Sequence, residues 1–242
     1  MCLIIFKNKK NENVTIPVLE YHDFTTLLPE SDPYDFEYIN TPKSFEENIR
    51  VLLRHGFKPI SFKDLYNALT RKKKLPKKPF IITFDDGYEG QYTLIYPIIK
   101  KYNIKVTMFV VTDLVGKRTD MAKYFGWDEA REMQSSGLVD ICSHGKRHIA
   151  YDTIPIIQFK HEILQSFLLL DKNIGYNDLK IFAYPYGLYN QDMADILKQN
   201  GIDIQVTGLG LNNLNTIDFS NINRLNIPNN MTGEQIIRNN NL

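Results

Sequence analysis

Apolar, β-rich runs alternate with helical patterns along almost the whole chain. Some runs, such as Phe80 to Phe84, are nearly continuously apolar, which is typical of a strand buried on both faces. Other segments carry apolar residues at helical spacing, as between Ser44 and His55. Roughly seven strand–helix alternations follow one another, a number closer to a (β/α) barrel than to a small open sheet. The pattern therefore predicts an α/β protein with a parallel barrel.

The bounds of these elements follow from the apolar runs and from capping residues. Gly56, Gly137 and Gly201 each occupy a position that favours a helix end, and Ser61 is a suitable N-cap. A polar loop is expected after residue 23, up to about residue 41. The predicted strands cover residues 16–19, 58–60, 80–84, 106–111, 138–142, 181–184, 202–206 and 224–227. The predicted helices cover residues 44–55, 91–102, 127–136 and 191–200. A further helix is predicted after Ser61, through Leu65, Ala68 and Leu69, and a long one through Phe159, Ile163, Phe167 and Leu170.

The composition is that of a globular protein with balanced charge. Of the 242 residues, 43% are hydrophobic and 24% are charged, and 29 basic against 28 acidic residues give a net charge of +1. Without a basic field, a nucleic-acid partner is not expected. Two cysteines are too few for a disulfide framework or a four-thiolate zinc site. We expect a single domain over residues 1–242, in which residues 1–13 are an N-terminal extension or the stump of a removed anchor.

No apolar run approaches the roughly 20 residues that cross a bilayer, and the N-terminus lacks the features of an export signal. The segment 71–78 carries six positive charges. We interpret it as a solvated connector, and contact with an anionic membrane surface is the alternative.

Polar clusters follow several of the predicted strands at their carboxyl ends. They are His22-Asp23, Asp85-Asp86, the segment from His144 to His148, and the segment from Tyr184 to Gly187. In parallel α/β barrels these ends meet at one face, where active sites are built. Clusters that are distant in sequence are therefore expected to converge.

Two of these clusters carry residue types that bind metals. Asp85 and Asp86 end a strand predicted to be buried, where unpaired carboxylates are costly and a cation would relieve the cost; a simple turn is the alternative. His144 and His148 meet either on one helical turn or through a loop that begins at Gly145. Two imidazoles and one carboxylate form a three-ligand zinc set with an open position. The alternative for the histidine pair is an ordinary surface turn.

Three segments resemble, in order, the first three motifs of NodB-type polysaccharide deacetylases (carbohydrate esterase family 4). They are residues 83–87, the His144/His148 pair and residues 184–187. Residues 17–22, 96–102 and 106–109 are similar to the branch that deacetylates poly-N-acetylglucosamine of biofilms. The resemblance extends from about Ile16 to Pro228.

This resemblance implies a deformed (β/α) barrel and a metal-dependent N-deacetylase. Asp86, His144 and His148 would hold the metal, usually zinc in this family, and Asp85 would be the general base. A bound cation lowers the pKa of its water and polarises the acetyl carbonyl. The backbone N–H of Tyr186 would help to stabilise the oxyanion.

The proton donor to the leaving amine is expected near the N-terminus. No histidine follows His161, whereas most relatives supply the donor from a C-terminal motif. The biofilm branch resembles a circularly permuted version, which assigns the role to His22, with a structural histidine as the alternative. His55 and His161 are interpreted as a helix-end residue and a residue of a polar helix face.

Other aromatic residues, and two departures from the family pattern, complete the expectations. Tyr184, Tyr189 and Trp127 would line a sugar groove by stacking, with core packing as an equal alternative. Gly145 stands where a Ser or Thr commonly braces the metal loop. The third motif lacks the arginine that tunes the catalytic aspartate in many relatives, so we expect that pairing to be absent.

The expected reaction is hydrolysis of the N-acetyl group of N-acetylglucosamine in a cell-surface polysaccharide, with poly-β-1,6-N-acetylglucosamine favoured. An extracellular or cell-envelope location is implied by the resemblance. Deacetylation of peptidoglycan or chitin oligomers, hydrolysis of a small amide, and a catalytically idle glycan-binding barrel are the alternatives.

Overall fold

Seven parallel strands close into a barrel with helices around it. The computed structural model describes residues 14–26, 37–71 and 73–242. The strands are β1 (Thr15–Ile16), β2 (Val18–Tyr21), β3 (Asp23–Phe24), β4 (Ile39–Asn40), β5 (Lys58–Pro59), β6 (Pro79–Phe84), β7 (Val106–Val110), β8 (Val139–Ser143), β9 (Ile181–Ala183), β10 (Ile204–Leu209), β11 (Asn212–Asn213) and β12 (Ile222–Asn226). The helices are α1 (Pro42–Arg54), α2 (Phe62–Thr70), α3 (Tyr96–Tyr102), α4 (Trp127–Ser135), α5 (Ile156–Ile174), α6 (Gln191–Gln199) and α7 (Gly233–Asn239).

The barrel runs in the order β2, β6, β7, β8, β9, β10, β12, and β12 pairs with β2 to close it. The closure is parallel, with Leu225 opposite Leu19, and Val18 opposite Ile81 on the other side of β2. The register shifts between β10 and β12, and β8 meets β9 at one residue pair. The predicted deformed (β/α) barrel is confirmed.

Side chains of the barrel strands alternate between two buried clusters. One cluster joins Val18, Ile81, Phe109, Val206 and Ile222, which come from five different strands and fill the barrel interior. Their neighbours along the same strands pack in the second cluster with residues of the surrounding helices. This alternation decides which residue of each strand reaches the site at the carboxyl ends.

Several element bounds differ from those that the sequence predicts. The helix predicted over residues 91–102 begins with a π-helical turn (Gln91–Ile95) before α3. The strand predicted over 202–206 is shifted toward the C-terminus, as β10. The predicted polar loop contains the short strands β3 and β4, and α7 was not predicted. Residues 1–13, with their predicted extension, lie outside the described residues.

Among the described residues, none of the helices combines the length and the apolar character needed to cross a membrane.

Candidate active site

A polar layer lies at the carboxyl end of the barrel, above its apolar interior. The inward-pointing side chains change from apolar to polar along each strand: on β2 Val18 is followed by Glu20, and on β6 Ile81 is followed by Thr83. Asp85 and His144, directly after β6 and β8, are 1% exposed. The predicted convergence of the strand-end clusters is thus seen in the structure.

Asp85 forms a bidentate ion pair with an arginine from the far end of the chain. Arg224 of β12 donates from Nη1 to Oδ1 (2.6 Å) and from Nη2 to Oδ2 (2.7 Å), and both side chains are buried. Burial alone would raise the pKa of Asp85, but the guanidinium outweighs burial and holds that pKa well below its usual range. Asp85 is therefore ionised at neutral pH.

The expectation that the aspartate lacks an arginine partner was wrong. The third motif offers Ala183 and Tyr184, and the partner comes instead from β12. The two residues are 139 positions apart, so local sequence does not connect them. A signal was nonetheless available: Arg224 stands two residues after the buried Ile222, on the interior side of a strand.

Asp86 follows in a left-handed conformation that turns its side chain back to the site. Its φ is +72°, and Gly87 continues the reversal with φ +85°. The Asp86 Oδ1 atom lies 3.4 Å from Nε2 of His148 and 3.6 Å from Nε2 of His144. It is buried and accepts no hydrogen bond from the described residues. Burial raises the pKa of Asp86 to about 6, against the opposing effects of His22 and of a hydrogen bond with Tyr88.

The two histidines present neutral nitrogens to that oxygen. Nδ1 of His144 donates to the carbonyl oxygen of Ala183 (2.8 Å), which leaves the lone pair on Nε2. Burial lowers the pKa of His144 to about 3 and also lowers the pKa of His148. Both imidazoles are therefore uncharged at neutral pH, which is the form that binds metals.

Asp86, His144 and His148 fit a divalent cation. One ligand atom from each residue lies within 4.8 Å of the others. The unpartnered Asp86 oxygen and the two Nε2 atoms match the carboxylate and imidazole donors of catalytic zinc sites. The Ala183 carbonyl orients His144 as backbone acceptors orient metal-bound histidines. These three residues can hold a metal ion.

A loop, not a helix, brings the two histidines together. Gly145 has φ +85°, and a Cβ atom there would collide with the Tyr151 hydroxyl. The steric fit explains why glycine occupies this position. The bracing hydroxyl comes from Ser143, which accepts a hydrogen bond from the Gly145 N–H (3.0 Å) and bonds to Ser166 (2.6 Å).

Arg147 fastens the same loop to helix α5. Its guanidinium donates to both carboxylate oxygens of Glu162, at 3.1 and 2.7 Å. The Tyr151 hydroxyl donates to the Arg147 carbonyl oxygen (2.8 Å). The turn that carries Arg147 is therefore tied to the helix beside it.

His22 lies at the end of β2 beside a carboxylate that the sequence analysis did not single out. Its Nε2 atom is 3.5 Å from Oε1 of Glu20, and its Nδ1 atom is buried without a partner among the described residues. Its ring meets the edge of Tyr38 at 4.9 Å between centroids. Burial lowers the pKa of His22, and the charges of Asp85 and Asp86 oppose that effect.

Tyr186 sits at the open side of the site, and the other predicted aromatic residues lie deeper. Tyr186 has φ +60°, is 64% exposed, and meets the edge of His148 at 4.6 Å between ring centroids. Tyr184 is fully buried, and its hydroxyl donates to Gln205 (2.6 Å), so the core alternative describes its side chain. Tyr189 and Trp127 are half-buried against the same core, and their role in a sugar groove stays a prediction.

The remaining histidines lie away from this cluster. His55 ends α1 and contacts the Glu234 carboxylate at 3.2 Å, and His161 is exposed on α5. Both positions agree with the structural interpretation.

Comparisons with known proteins agree with the motifs. A family model described as polysaccharide deacetylase matches residues 72–204, more than half of the chain. YxkH of Bacillus subtilis (strain 168) is 28% identical over 82% of this chain and 66% of its own length. Poly-β-1,6-N-acetyl-D-glucosamine N-deacetylase of Staphylococcus epidermidis is 30% identical over 83% of this chain and 75% of that protein. This chain thus spans just under two thirds of YxkH.

The fold has a solved counterpart. The Streptococcus pyogenes deacetylase PplD, in complex with acetate, superposes with a TM-score of 0.81 at 26% identity. The match covers 95% of this chain and 99% of that one. The family resemblance indicated by the motifs is confirmed.

Proposed function

Since the chain belongs to the polysaccharide deacetylase family, we propose that it hydrolyses the N-acetyl groups of N-acetylglucosamine units in a cell-surface polysaccharide, releasing acetate. The favoured polymer is poly-β-1,6-N-acetylglucosamine, since the S. epidermidis relative carries that substrate in its name. The observation that carries the proposal is the buried, unpartnered oxygen of Asp86 between two neutral imidazoles, next to an Asp85 held ionised by Arg224.

Asp86, His144 and His148 hold the metal ion in this proposal, and zinc is the favoured ion because the donor set is two imidazoles and one carboxylate. A zinc ion bound there would supply a more acidic water and would polarise the acetyl carbonyl. His144 and His148 need not lose a proton to bind it, because both are already neutral.

Asp85 accepts the proton of the attacking water. Arg224 occupies both of its oxygens in one fork, but a carboxylate has about four lone-pair positions, so further acceptor positions are free. The same arginine prevents Asp85 from protonating, and it fixes the direction of the carboxylate. Loss of activity on acidification is therefore expected to come from groups other than Asp85.

Two further groups act on the other side of the amide. The backbone N–H of Tyr186 is proposed to donate to the oxyanion, and the Tyr186 ring lies beside His148 at 4.6 Å between ring centroids. His22 donates a proton to the leaving nitrogen, since an amide nitrogen leaves poorly without one.

The wider setting follows from the substrate. A cell-surface glycan implies an extracellular or cell-envelope location, and the basic segment 71–78 would add contact with an anionic membrane surface. We propose that the barrel is one catalytic domain that accounts for the whole activity of this chain.

The proposal is tested by measuring acetate release from defined oligosaccharides. β-1,6-linked N-acetylglucosamine oligomers, chitin oligomers and peptidoglycan fragments are compared with zinc, cobalt or nickel bound. The expected result is release from the β-1,6 oligomers, loss of zinc in Asp86→Ala, and retained zinc with little release in Asp85→Asn. Release from chitin or peptidoglycan alone would overturn the linkage, and glycan binding without metal or acetate would indicate an idle barrel.

A further inference from the structure

Glu20 lies on the interior side of β2, between the proposed proton donor and the arginine that holds the proposed base. Its Oε1 atom is 3.5 Å from Nε2 of His22, and its Oε2 atom is 3.4 Å from Nε of Arg224. The Glu20 side chain is 14% exposed. Burying a carboxylate costs free energy unless neighbouring groups pair with its charge.

These residues could be taken for a second metal site, because Glu20, His22 and Asp85 bring one ligand atom each within 4.8 Å of the others. The guanidinium of Arg224 already supplies the positive charge there. It forms two short bonds to Asp85 and faces Glu20 with its remaining nitrogen. A metal ion would have to displace a fully buried arginine, so the cluster is better described as a protein-only charge network.

We propose that Glu20 is a positioning residue for His22: its carboxylate holds the imidazole and stabilises the imidazolium, while Arg224 ties the same carboxylate to Asp85. The role of His22 in the reaction rests on the proposed function. The contact between Glu20 and His22 does not.

The charged groups around His22 explain why it needs such a neighbour. Burial disfavours the imidazolium, and Arg224 and His148 disfavour it further, while the charges of Asp85 and Asp86 favour it. A cation bound at Asp86 would cancel part of the favourable charge. The Tyr38 ring packs against the imidazole at 4.9 Å between ring centroids. Glu20 is the acid with an oxygen 3.5 Å from Nε2 of His22, and it contacts Arg224 through a single nitrogen at 3.4 Å.

The burial of Glu20 also acts on its own carboxyl. Burial raises the pKa of Glu20 to about 7, against the opposing effect of Arg224. The contact with Arg224 therefore favours the charged form of Glu20.

The test uses Glu20→Gln, which keeps the shape and removes the charge, in the zinc-loaded full chain. Glu20→Asp keeps the charge at a shorter reach, and Glu47→Gln, at an exposed position of α1, is the matched control. Zinc content and the urea midpoint establish that each variant is folded and loaded. The pKa of His22 is read by NMR of histidine-labelled protein, and kcat and KM come from acetate release.

Glu20→Gln is expected to lower the pKa of His22 by about 1–3 units, the range for losing an opposite charge at this distance. Its kcat at pH 7 should fall at least about tenfold with KM and zinc content unchanged, and Glu20→Asp should restore part of both. An unchanged pKa of His22 overturns the inference, whether or not acetate is released. A shifted pKa with unchanged kcat overturns the part that concerns the reaction. No acetate release by the unmodified chain would contradict the proposed function alone, since the NMR comparison still decides the contact.

Discussion

Replacing Arg224 with methionine removes the partner of Asp85 and leaves a carboxylate buried without a counter-charge. The guanidinium makes two bonds of 2.6 and 2.7 Å to that carboxylate, and both residues are 1% exposed. Breaking a buried ion pair of this kind costs about 3–5 kcal/mol, because the remaining charge keeps its desolvation penalty. We expect Arg224→Met to lower the free energy of unfolding by that amount at pH 7.

The assay is urea unfolding of the metal-free protein in a chelator, followed by circular dichroism. Asp85→Asn combined with Arg224→Met removes the stranded charge, and the coupling energy of the two changes should be about 2–3 kcal/mol. The cost of Arg224→Met should also shrink as the pH falls, because protonation neutralises Asp85. A loss below about 1 kcal/mol, or additive effects in the double variant, would refute the ion pair as a main support of the site.

Three further outcomes are expected from the packing around the site. Gly145→Ala should lower the free energy of unfolding by about 2–4 kcal/mol and weaken zinc binding, because φ +85° and the nearby Tyr151 both disfavour a Cβ atom. Gly137→Ala, at φ +71° with open space around it, should lower it by about 1–2 kcal/mol. Equal losses in the two variants would contradict the steric argument. Burial raises the pKa of the Cys142 thiol. In a Cys2→Ser variant, the native protein should therefore react with a disulfide reagent on the order of a hundredfold more slowly than the protein unfolded in urea. Rapid labelling of the native protein would contradict the burial of Cys142. Tyr184→Phe should lower stability by about 1–3 kcal/mol with KM unchanged, and a raised KM would return this residue to the sugar groove.

The barrel and the convergence of the proposed metal ligands were predictable because their signals are local. The apolar run from Phe80 to Phe84 identifies a buried strand by itself, and the residues that follow it lie at the strand end in any parallel barrel. The His144/His148 spacing is also local, although the sequence left open whether a helix or a loop brings the pair together. The structure shows a loop, in which Gly145 packs closely against Tyr151 of a separate turn, a contact that the local sequence does not reveal.

The network behind the metal site was missed because it depends on which strands are neighbours. β12 closes the barrel against β2, and β2 pairs with β6, so Arg224 meets both Glu20 and Asp85. Nothing in the local sequence of β12 states that neighbour relation. The alternation within each strand did carry a partial signal, since Glu20 and Arg224 each follow an interior apolar residue by two positions.

The same alternation explains Tyr184. It follows Phe182, which packs on the helix-facing side of the barrel, by two positions, and both rings belong to the core between barrel and helices. Its aromatic character left a sugar groove and core packing as equal alternatives, whereas strand periodicity places its side chain on the helix-facing side of the sheet. The adjacent Tyr186 reaches the site because its backbone leaves the extended conformation.

The most direct test of the hydrolytic site is acetate release from a β-1,6-linked N-acetylglucosamine oligomer by the chain and by its Asp85→Asn variant, each carrying one zinc ion. At equal zinc occupancy we expect release by the unmodified chain and a rate lower by about 10²–10⁴-fold in the variant, because the proton acceptor is lost while the metal ligands remain. Equal rates in the two proteins, or no release by the zinc-loaded chain, would contradict the assignment of Asp85 and of the metal centre beside it.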